Sequence, residues 1–278
     1  MQQAITFIRS NLLASYSTLE LQSVSRMLIS KVSGYSFTEI IVNKNTIFSE
    51  EQRKVLQNYV EKLKKGLPIQ YVLGETEFCG LPIMVNDAVL IPRPETEELV
   101  QWMVEEIKHE SHILDIGTGS GCIAIALKHF LPGADVYACD IDADSLKVAA
   151  NNAENLGLKI NFFPCDILRA EKSDRKYHVI VSNPPYIPCS ERKDVMRRVK
   201  DFEPERALFV EDSDPLIFYR KIAQFAQSNL FSGGNLFFEV HRDFGKVCVQ
   251  LLEDMSYLKV QLKKDIFGNE RMIRAVKK

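Results

Sequence analysis

The chain has 278 residues, of which 46% are hydrophobic, so its length and composition suit about two domains with packed cores. Its net charge at pH 7 is −2 and its isoelectric point is near 6.3, which gives no electrostatic basis for nonspecific nucleic-acid binding. The chain starts without the basic and apolar pattern of a signal peptide, and no apolar run approaches the length of a membrane span. We therefore expect a cytoplasmic protein that has no membrane partner and no stable nucleic-acid partner.

The cysteines and histidines do not have the spacing of a metal site. Six cysteines occur without a Cys-x-x-Cys pair, and three of them lie in or beside predicted buried segments, which favours small core residues. The histidines are also scattered: His109, His112, His129, His178 and His241. The sequence predicts reduced cysteines and no metal.

Residues 1–72 have the hydrophobic period of amphipathic helices. The Ser17-x-x-Glu20 and Ser49-x-x-Gln52 patterns resemble capping boxes that begin two of them. Gly66 and Pro68 are expected to end the helix that begins after Ser49. The apolar faces are expected to carry Ile5, Ile8, Leu12, Leu21, Val24, Leu28, Val55, Leu56, Tyr59, Val60 and Leu63. A small helical bundle is predicted for this part of the chain.

Strands and helices alternate in the rest of the chain. Phe78–Val85, interrupted at Gly80, predicts a hairpin that joins the two halves. The alternation after it predicts an α/β domain with a doubly wound, mostly parallel sheet covered by helices on both faces. The last strands are expected at Gly234–Val240, Leu258–Lys263 and Arg271–Val276. The expected division is a helical domain at 1–72, a linker hairpin at 73–88 and the α/β domain at 89–278.

A glycine-rich turn follows the first strand of this α/β domain. Ser111–Ile116 is predicted to be the strand, and Gly117-Thr118-Gly119-Ser120-Gly121 is the turn before a helix that begins at Cys122. Such glycines let a ligand approach the backbone beside a helix N-terminus, although a glycine turn alone is weak evidence. Asp140 ends the next predicted strand, about twenty residues further on, where a carboxylate usually binds a ribose diol. The following strand ends near Asp166 and Ile167, which offer an acid or backbone for an adenine amino group and an apolar contact for its ring.

Asn183-Pro184-Pro185-Tyr186 is the most informative stretch of the chain. It follows an apolar strand, His178–Ser182, and open α/β sheets bind ligands at the carboxyl ends of their strands. The two prolines lack N–H groups, and Asn183 is biased towards an extended conformation by the proline after it. The Asn183 side-chain oxygen and the Pro184 carbonyl remain as acceptors beside the Tyr186 ring, which suits a planar –NH₂ group. A rigid turn without a function is the alternative.

Together the glycine turn, Asp140 and the Asn-Pro-Pro-Tyr loop resemble class I S-adenosylmethionine-dependent methyltransferases that methylate amino groups. Further segments make the chain similar to the HemK/PrmC family, the glutamine methyltransferases of peptide chain release factors. These segments are Pro68–Gly74 with Phe78, Leu90–Glu97, Phe202–Pro204 with Ala207 and Leu208, and Asp265, Gly268, Asn269 and Arg271. The resemblance spans nearly the whole chain and is loosest at its start. The loop alone is shared with adenine and cytosine methyltransferases, whereas Leu90–Glu97 is more specific.

This resemblance implies a Rossmann-like methyltransferase domain with a helical domain that docks the substrate. It implies S-adenosyl-L-methionine as cofactor, bound by Gly117, Thr118, Gly119, Ser120, Gly121, Asp140, Asp166, Ile167 and Asn183. It implies Asn183, Pro184 and Tyr186 as catalytic residues and Asn183, Pro184, Pro185 and Tyr186 as substrate-binding residues. The implied partner is a peptide chain release factor, whose Gly-Gly-Gln glutamine becomes N5-methylglutamine, and the protein is expected to be a monomer.

Several alternatives remain open at this point. The same loop would serve an exocyclic amine in DNA or RNA, and the chain could bind the cofactor without catalysis. Residues 1–72 either dock substrate or only stabilise the fold. The charged segment 191–206 is either a solvated helix or a contact for a protein substrate. Arg93 and Glu95 either belong to an ion pair that braces the cofactor site or contact the substrate.

Overall fold

The structure is a computed structural model that describes residues 1–107, 110–170 and 172–278, so His109 lies outside the described residues. The chain divides into two compact units, Met1–Glu75 and Thr76–Lys278. The boundary falls inside the segment 73–88 that the sequence predicts as a linker hairpin. Among the described residues, no helix combines the length and the apolar character needed to cross a membrane.

The first unit consists of helices packed around one apolar cluster. They are α1 (Gln2–Leu12), α2 (Thr18–Ser33), α3 (Phe37–Val42), α4 (Glu50–Lys64) and α5 (Ile69–Leu73). The capping boxes predicted at Ser17 and Ser49 are confirmed, and Ser36 forms a third one at the start of α3. Ile8, Leu28 and Val60 are fully buried at the centre of the cluster.

One predicted core position of this unit is wrong. Val55 is 38% exposed, whereas Leu56, Val60 and Leu63 of the same helix are buried. Positions 56, 60 and 63 recur at the three- and four-residue spacing of a helix face, and position 55 lies beside that face. The apolar stripe of α4 is therefore narrower than the sequence analysis predicts.

The second unit contains a seven-stranded sheet and two small two-stranded sheets. Its strands, with the hairpin that starts at the unit boundary, are β1 (Glu75–Phe78), β2 (Leu81–Met84), β3 (His112–Ile116), β4 (Asp135–Asp140), β5 (Asn161–Pro164), β6 (Tyr177–Ser182), β7 (Ile187–Pro188), β8 (Phe209–Val210), β9 (Leu230–Glu239), β10 (Leu258–Lys264) and β11 (Glu270–Val276). Its helices are α6 (Pro94–Glu106), α7 (Cys122–Phe130), α8 (Ala143–Asn155), α9 (Arg197–Lys200), α10 (Glu205–Leu208), α11 (Ile217–Asn229) and α12 (Gly245–Asp254), with a 3₁₀ helix at Cys189–Lys193.

The large sheet has the strand order β10-β11-β9-β6-β3-β4-β5. The five strands from β9 to β5 are parallel, and β11 runs antiparallel to both β9 and β10. Helices cover both faces, because Phe238 of β9 contacts Tyr219 of α11 while its neighbour Phe237 contacts Trp102 of α6 on the opposite side. The doubly wound, mostly parallel sheet predicted from the sequence is confirmed.

The register of the parallel strands aligns their carboxyl ends. Ile116 of β3 pairs with Cys139 of β4 and with Ser182 of β6, and Ser182 pairs with Phe238 of β9. The chain reverses its direction of winding between β3 and β6, where open α/β sheets form a ligand crevice. The residues that follow these pairs therefore leave the sheet side by side, at the place where a ligand is expected.

Candidate active site

The glycine turn leaves β3 with three glycines in the left-handed region, at φ values of +72° for Gly117, +54° for Gly119 and +83° for Gly121. The N–H groups of Gly117 and Thr118 both donate to the carbonyl of Cys139, at 2.9 and 3.0 Å. A Cβ atom built on Gly117 or Gly119 would meet no atom within 4 Å, so the backbone there faces open space. This part of the turn can accept a ligand against its backbone.

Gly121 has a different role in the turn, because it lies where α7 approaches α8. A Cβ atom at this position would lie 3.0 Å from the Cβ of Ala149 in α8 and 3.2 Å from the Ile125 side chain. The side chain of Asn152, also in α8, fixes the same region by donating to the carbonyls of Ser120 and Met84. The glycine turn is thus packed against and hydrogen-bonded by α8, a contact that the sequence patterns do not predict.

Asp115 is a fully buried acid directly beneath the turn. Its Oδ2 accepts a hydrogen bond of 2.6 Å from the Thr118 hydroxyl, and its Oδ1 makes none with the described residues. Burial raises the pKa of this carboxyl from 3.8 to about 7. The proton of the Thr118 hydroxyl is therefore already engaged by Asp115.

Asp140 at the end of β4 presents its carboxylate to the turn. Its Oδ2 accepts from the N–H of Gly119 at 2.9 Å and its Oδ1 accepts from the N–H of Asp142 at 3.0 Å. Burial is the largest influence on its pKa and raises it, while the nearby Arg206 guanidinium acts in the opposite direction. Each carboxylate oxygen keeps acceptor capacity for a hydroxyl. The arrangement can bind a diol.

Asp166 and Ile167 follow β5. The Oδ1 of Asp166 accepts from the N–H of Leu168 at 3.0 Å, which shapes the local turn, and its Oδ2 lies 3.2 Å from Arg169. Ile167 is 9% exposed and packs on the main core. Both residues line the same cavity as the glycine turn.

The Asn183-Pro184-Pro185-Tyr186 loop leaves β6 next to the glycine turn. The Nδ2 of Asn183 donates to the Thr96 hydroxyl at 3.3 Å, and that hydroxyl donates to Oε2 of Glu239 at 2.6 Å. The Tyr186 hydroxyl donates to Oε1 of the same Glu239 at 3.1 Å. Thr96 and Glu239 are 2% and 1% exposed, so the loop rests on a buried polar network.

A cavity of about 410 Å³ connects these elements. The predicted site residues that line it are Gly117, Thr118, Gly119, Ser120, Asp140, Asp166, Ile167, Asn183, Pro184 and Pro185. Gly121 and Tyr186 do not line it, because one packs under the turn and the other is anchored at Glu239. The volume is that of a pocket for an organic ligand of cofactor size.

Arg93, which lines the cavity, forms an ion pair with a buried acid of the segment 191–206. Arg93 and Glu203 approach to 2.7 Å, and the second oxygen of Glu203 accepts from the N–H of Ile91 at 3.1 Å. Glu203 is 4% exposed, although it lies in the charged segment 191–206. Most other charges of this segment pair at the surface, as Arg197 does with Asp201 at 3.0 Å.

Sequence reasoning missed the residues that reach the site from distant parts of the chain: Thr96, Asn152, Arg206, Phe218, Ile222 and Glu239. Of these residues, only Glu239 could have been recognised from the sequence, because it is an acid at the end of an apolar strand. An acid in that position is buried together with the strand and requires partners.

The sequence comparisons agree with the geometry. Residues 3–74 match the PrmC N-terminal domain and residues 94–200 match the Methyltransferase small domain. The release factor glutamine methyltransferase of Bacteroides thetaiotaomicron is 40% identical over 276 residues, which cover 99% of both chains. The corresponding protein of Flavobacterium psychrophilum is 50% identical over 218 residues, or 77% of this chain and 76% of the relative. The chain belongs to the release factor glutamine methyltransferase family.

A solved structure supports the fold. The crystal structure of a methyltransferase from Pyrococcus furiosus superimposes with a TM-score of 0.56 at 19% identity, covering 83% of this chain and 99% of that one. The chain is therefore a class I methyltransferase in architecture as well as in sequence family.

The protein is an S-adenosylmethionine-dependent methyltransferase, and the described residues fit this methyl donor. The open backbone at Gly117 and Gly119, the carboxylate of Asp140 and the apolar side chain of Ile167 line one cavity of suitable volume. When bound, the donor supplies an electrophilic methyl group on a sulfonium.

Proposed function

We propose that this enzyme methylates the side-chain amide nitrogen of the glutamine in the Gly-Gly-Gln motif of peptide chain release factors. The observation that supports it most directly is the register of β3 and β6, in which Ile116 pairs with Ser182. In this pairing the turn at Gly117 leaves the sheet beside the loop at Asn183, as a transfer between a donor at the turn and an amide at the loop requires. Family membership supplies the class of acceptor.

The cofactor contacts in this proposal follow the strand ends. Asp140 accepts from the ribose diol, and Asp166 or its backbone pairs with the adenine amino group. Ile167 covers the adenine face, and the turn from Gly117 to Gly121 receives the remainder of the donor against its backbone. Asn183 lies at the junction of the donor and acceptor parts of the cavity.

The chemistry assigned to the loop is orientation and charge stabilisation. An amide nitrogen is a poor nucleophile because its lone pair is delocalised into the carbonyl. The oxygens of Asn183 and Pro184 accept from the two N–H groups, which places the nitrogen in line with the methyl group and stabilises the positive charge that grows on it. The N–C bond forms as the S–C bond breaks, and the surplus proton then leaves the nitrogen to solvent.

Tyr186 contributes as a wall beside the amide plane in this proposal. Its hydroxyl is held by Glu239, so its ring has one fixed orientation next to Pro185.

The helical unit is proposed to dock the release factor, and the protein to act as a monomer in the cytoplasm without a stable nucleic-acid partner. Its net charge of −2 supports the last point.

The test offers S-adenosylmethionine with a tritiated methyl group to the enzyme together with purified release factor, DNA, RNA or no acceptor. We expect label in the release factor alone, located by mass spectrometry on the glutamine of Gly-Gly-Gln. A release factor with that glutamine replaced by alanine is the matched control and should remain unlabelled. Label in nucleic acid and none in release factor would contradict the proposal.

A further inference from the structure

Asn183 makes a side-chain contact that determines which of its two amide atoms faces the acceptor. Its Nδ2 lies 3.3 Å from the hydroxyl of Thr96, which lies in the first turn of α6. That hydroxyl lies 2.6 Å from Glu239, at the carboxyl end of β9. Thr96 and Glu239 are separated by 143 residues in sequence and are both buried.

The protons in this network can be assigned from chemistry. The Tyr186 hydroxyl stays protonated because burial raises its pKa, so it donates to Oε1 of Glu239. Thr96 has one hydroxyl proton and donates it to Oε2 of Glu239. The Thr96 oxygen can then only accept from Asn183, and Nδ2 is the only side-chain atom of Asn183 that donates.

The charge of Arg271 supports the same assignment. Burial raises the pKa of Glu239, whereas the Arg271 guanidinium and the hydroxyls of Thr96 and Tyr186 favour its ionised form. Arg271 is itself held by Asp265 at 3.4 Å and by the carbonyl of Val240 at 3.2 Å. Each oxygen of Glu239 thus faces one hydroxyl donor, and Glu239 acts as an acceptor towards both hydroxyls.

We infer that Thr96 and Glu239 are positioning residues that fix the side-chain amide of Asn183 with its oxygen towards the acceptor. The inference rests on the proposed function, since it explains how the site distinguishes an amide –NH₂ from an oxygen acceptor. In the reverse orientation Nδ2 would face the N–H groups of glutamine, and two donors would oppose each other. The orientation also disfavours glutamate, whose carboxylate offers acceptors only.

Thr96→Val and Thr96→Ser separate this role from packing. Valine keeps the shape of threonine without the hydroxyl, whereas serine keeps the hydroxyl and loses a methyl group. We expect Thr96→Val to lower kcat on release factor by about tenfold or more and Thr96→Ser to remain within about threefold of wild type. The KM for S-adenosylmethionine should stay within about threefold of wild type in both variants.

A purely structural role for Thr96 predicts the opposite order, with the valine variant active and the serine variant weakened by a small cavity. The inference is overturned if Thr96→Val keeps more than about half of the wild-type kcat, or if Thr96→Ser is no more active than Thr96→Val.

Glu239→Gln tests the other member of the pair and replaces an acceptor-only group with one that also donates. The Thr96 hydroxyl can then reverse and donate to Asn183, so we expect kcat to fall by about tenfold. An unchanged kcat would overturn the inference independently of the valine variant.

The same experiments distinguish failure of this inference from failure of the proposed function. If the wild-type enzyme does not label release factor, the proposed function is contradicted. If the wild type labels release factor and the variants are equally active, only the role of Thr96 and Glu239 is contradicted.

Discussion

Asn183 is the side chain on which the proposed chemistry depends most directly. Asn183→Ala removes one acceptor for the amide N–H and leaves the glycine turn and Asp140 in place. By analogy with the loss of one oxyanion-hole donor, about 2.7–4 kcal/mol of transition-state stabilisation should be lost, which is a factor of about 10²–10³ in kcat. Cofactor affinity measured by calorimetry should remain within about tenfold of wild type.

The matched control is Asn151→Ala, which removes an exposed asparagine from α8. Its turnover should equal that of wild type. Near-normal turnover of Asn183→Ala would mean that the loop does not hold the amide.

Asp115 gives a prediction about stability and pH. Its pKa is about 7 in the folded protein against 3.8 in its ordinary state, so the folded protein binds a proton that the unfolded chain releases between these values. Stability therefore falls as the pH rises through this window, by up to about 4 kcal/mol. Asp115→Asn removes the titration and should be more stable than wild type at pH 8, with a smaller advantage at pH 5.

Urea unfolding of the cofactor-free protein at the two pH values measures this difference. The control is Asp174→Asn, at an exposed position, which should change the free energy of unfolding by the same amount at both pH values. An equal effect of Asp115→Asn at pH 5 and pH 8 would show that the buried acid does not titrate in this range.

Thr96 and Glu239 show where residue-level prediction ends. The Asn183 loop and Asp140 are recognisable from the sequence because each is a polar residue at the end of an apolar strand. Thr96 acquires its role only when α6 and β9 meet, and no local pattern encodes a contact across 143 residues. Nearness in sequence can also mislead. Glu95 is only two residues from Arg93, but the ion-pair partner of Arg93 is the distant Glu203.

At the scale of elements, the packing of α7 on α8 predicts different costs for two glycines of the same turn. Alanine at Gly119 is strained only by its left-handed backbone, at about 1–2 kcal/mol. Alanine at Gly121 has the same strain and also meets Ala149 at 3.0 Å, which adds about 1–3 kcal/mol of overpacking. Gly121→Ala should therefore unfold at a lower urea concentration than Gly119→Ala. Equal midpoints would show that α8 moves aside without cost.

Elements were predictable where they were long or had marked ends. The capping boxes at Ser17 and Ser49 each begin a helix of at least fifteen residues, and both were found. The box at Ser36 begins a helix of only six residues, which is too short to show a hydrophobic period in the sequence. Periodicity also gives no strand order, so the antiparallel position of β11 between β9 and β10 could not be derived.

At the scale of the whole molecule, the division into two units predicts that S-adenosylmethionine binding can be separated from recognition of the release factor. A chain shortened to begin at Thr76 keeps every residue that lines the cavity. If the helical unit docks the release factor, this chain should bind S-adenosylmethionine normally and methylate release factor with kcat/KM lower by about tenfold or more. A short peptide that contains Gly-Gly-Gln should be a poor substrate for both forms. Equal activity of the two chains on intact release factor would leave the first unit with a stabilising role only.

The strand order has a consequence for how the enzyme matures during its own synthesis. The strands β3, β4 and β5, which end beside Gly117, Asp140 and Asp166, are contiguous in the chain, so all three have left the ribosome once residues up to about 170 have emerged. The acceptor half is different, because the Asn183 loop is held by Glu239 of β9, and β9 lies between β6 and the later strand β11. A nascent chain therefore carries β3, β4 and β5 before it has Glu239, and under the proposed mechanism it cannot hold the acceptor amide until β9 has been added.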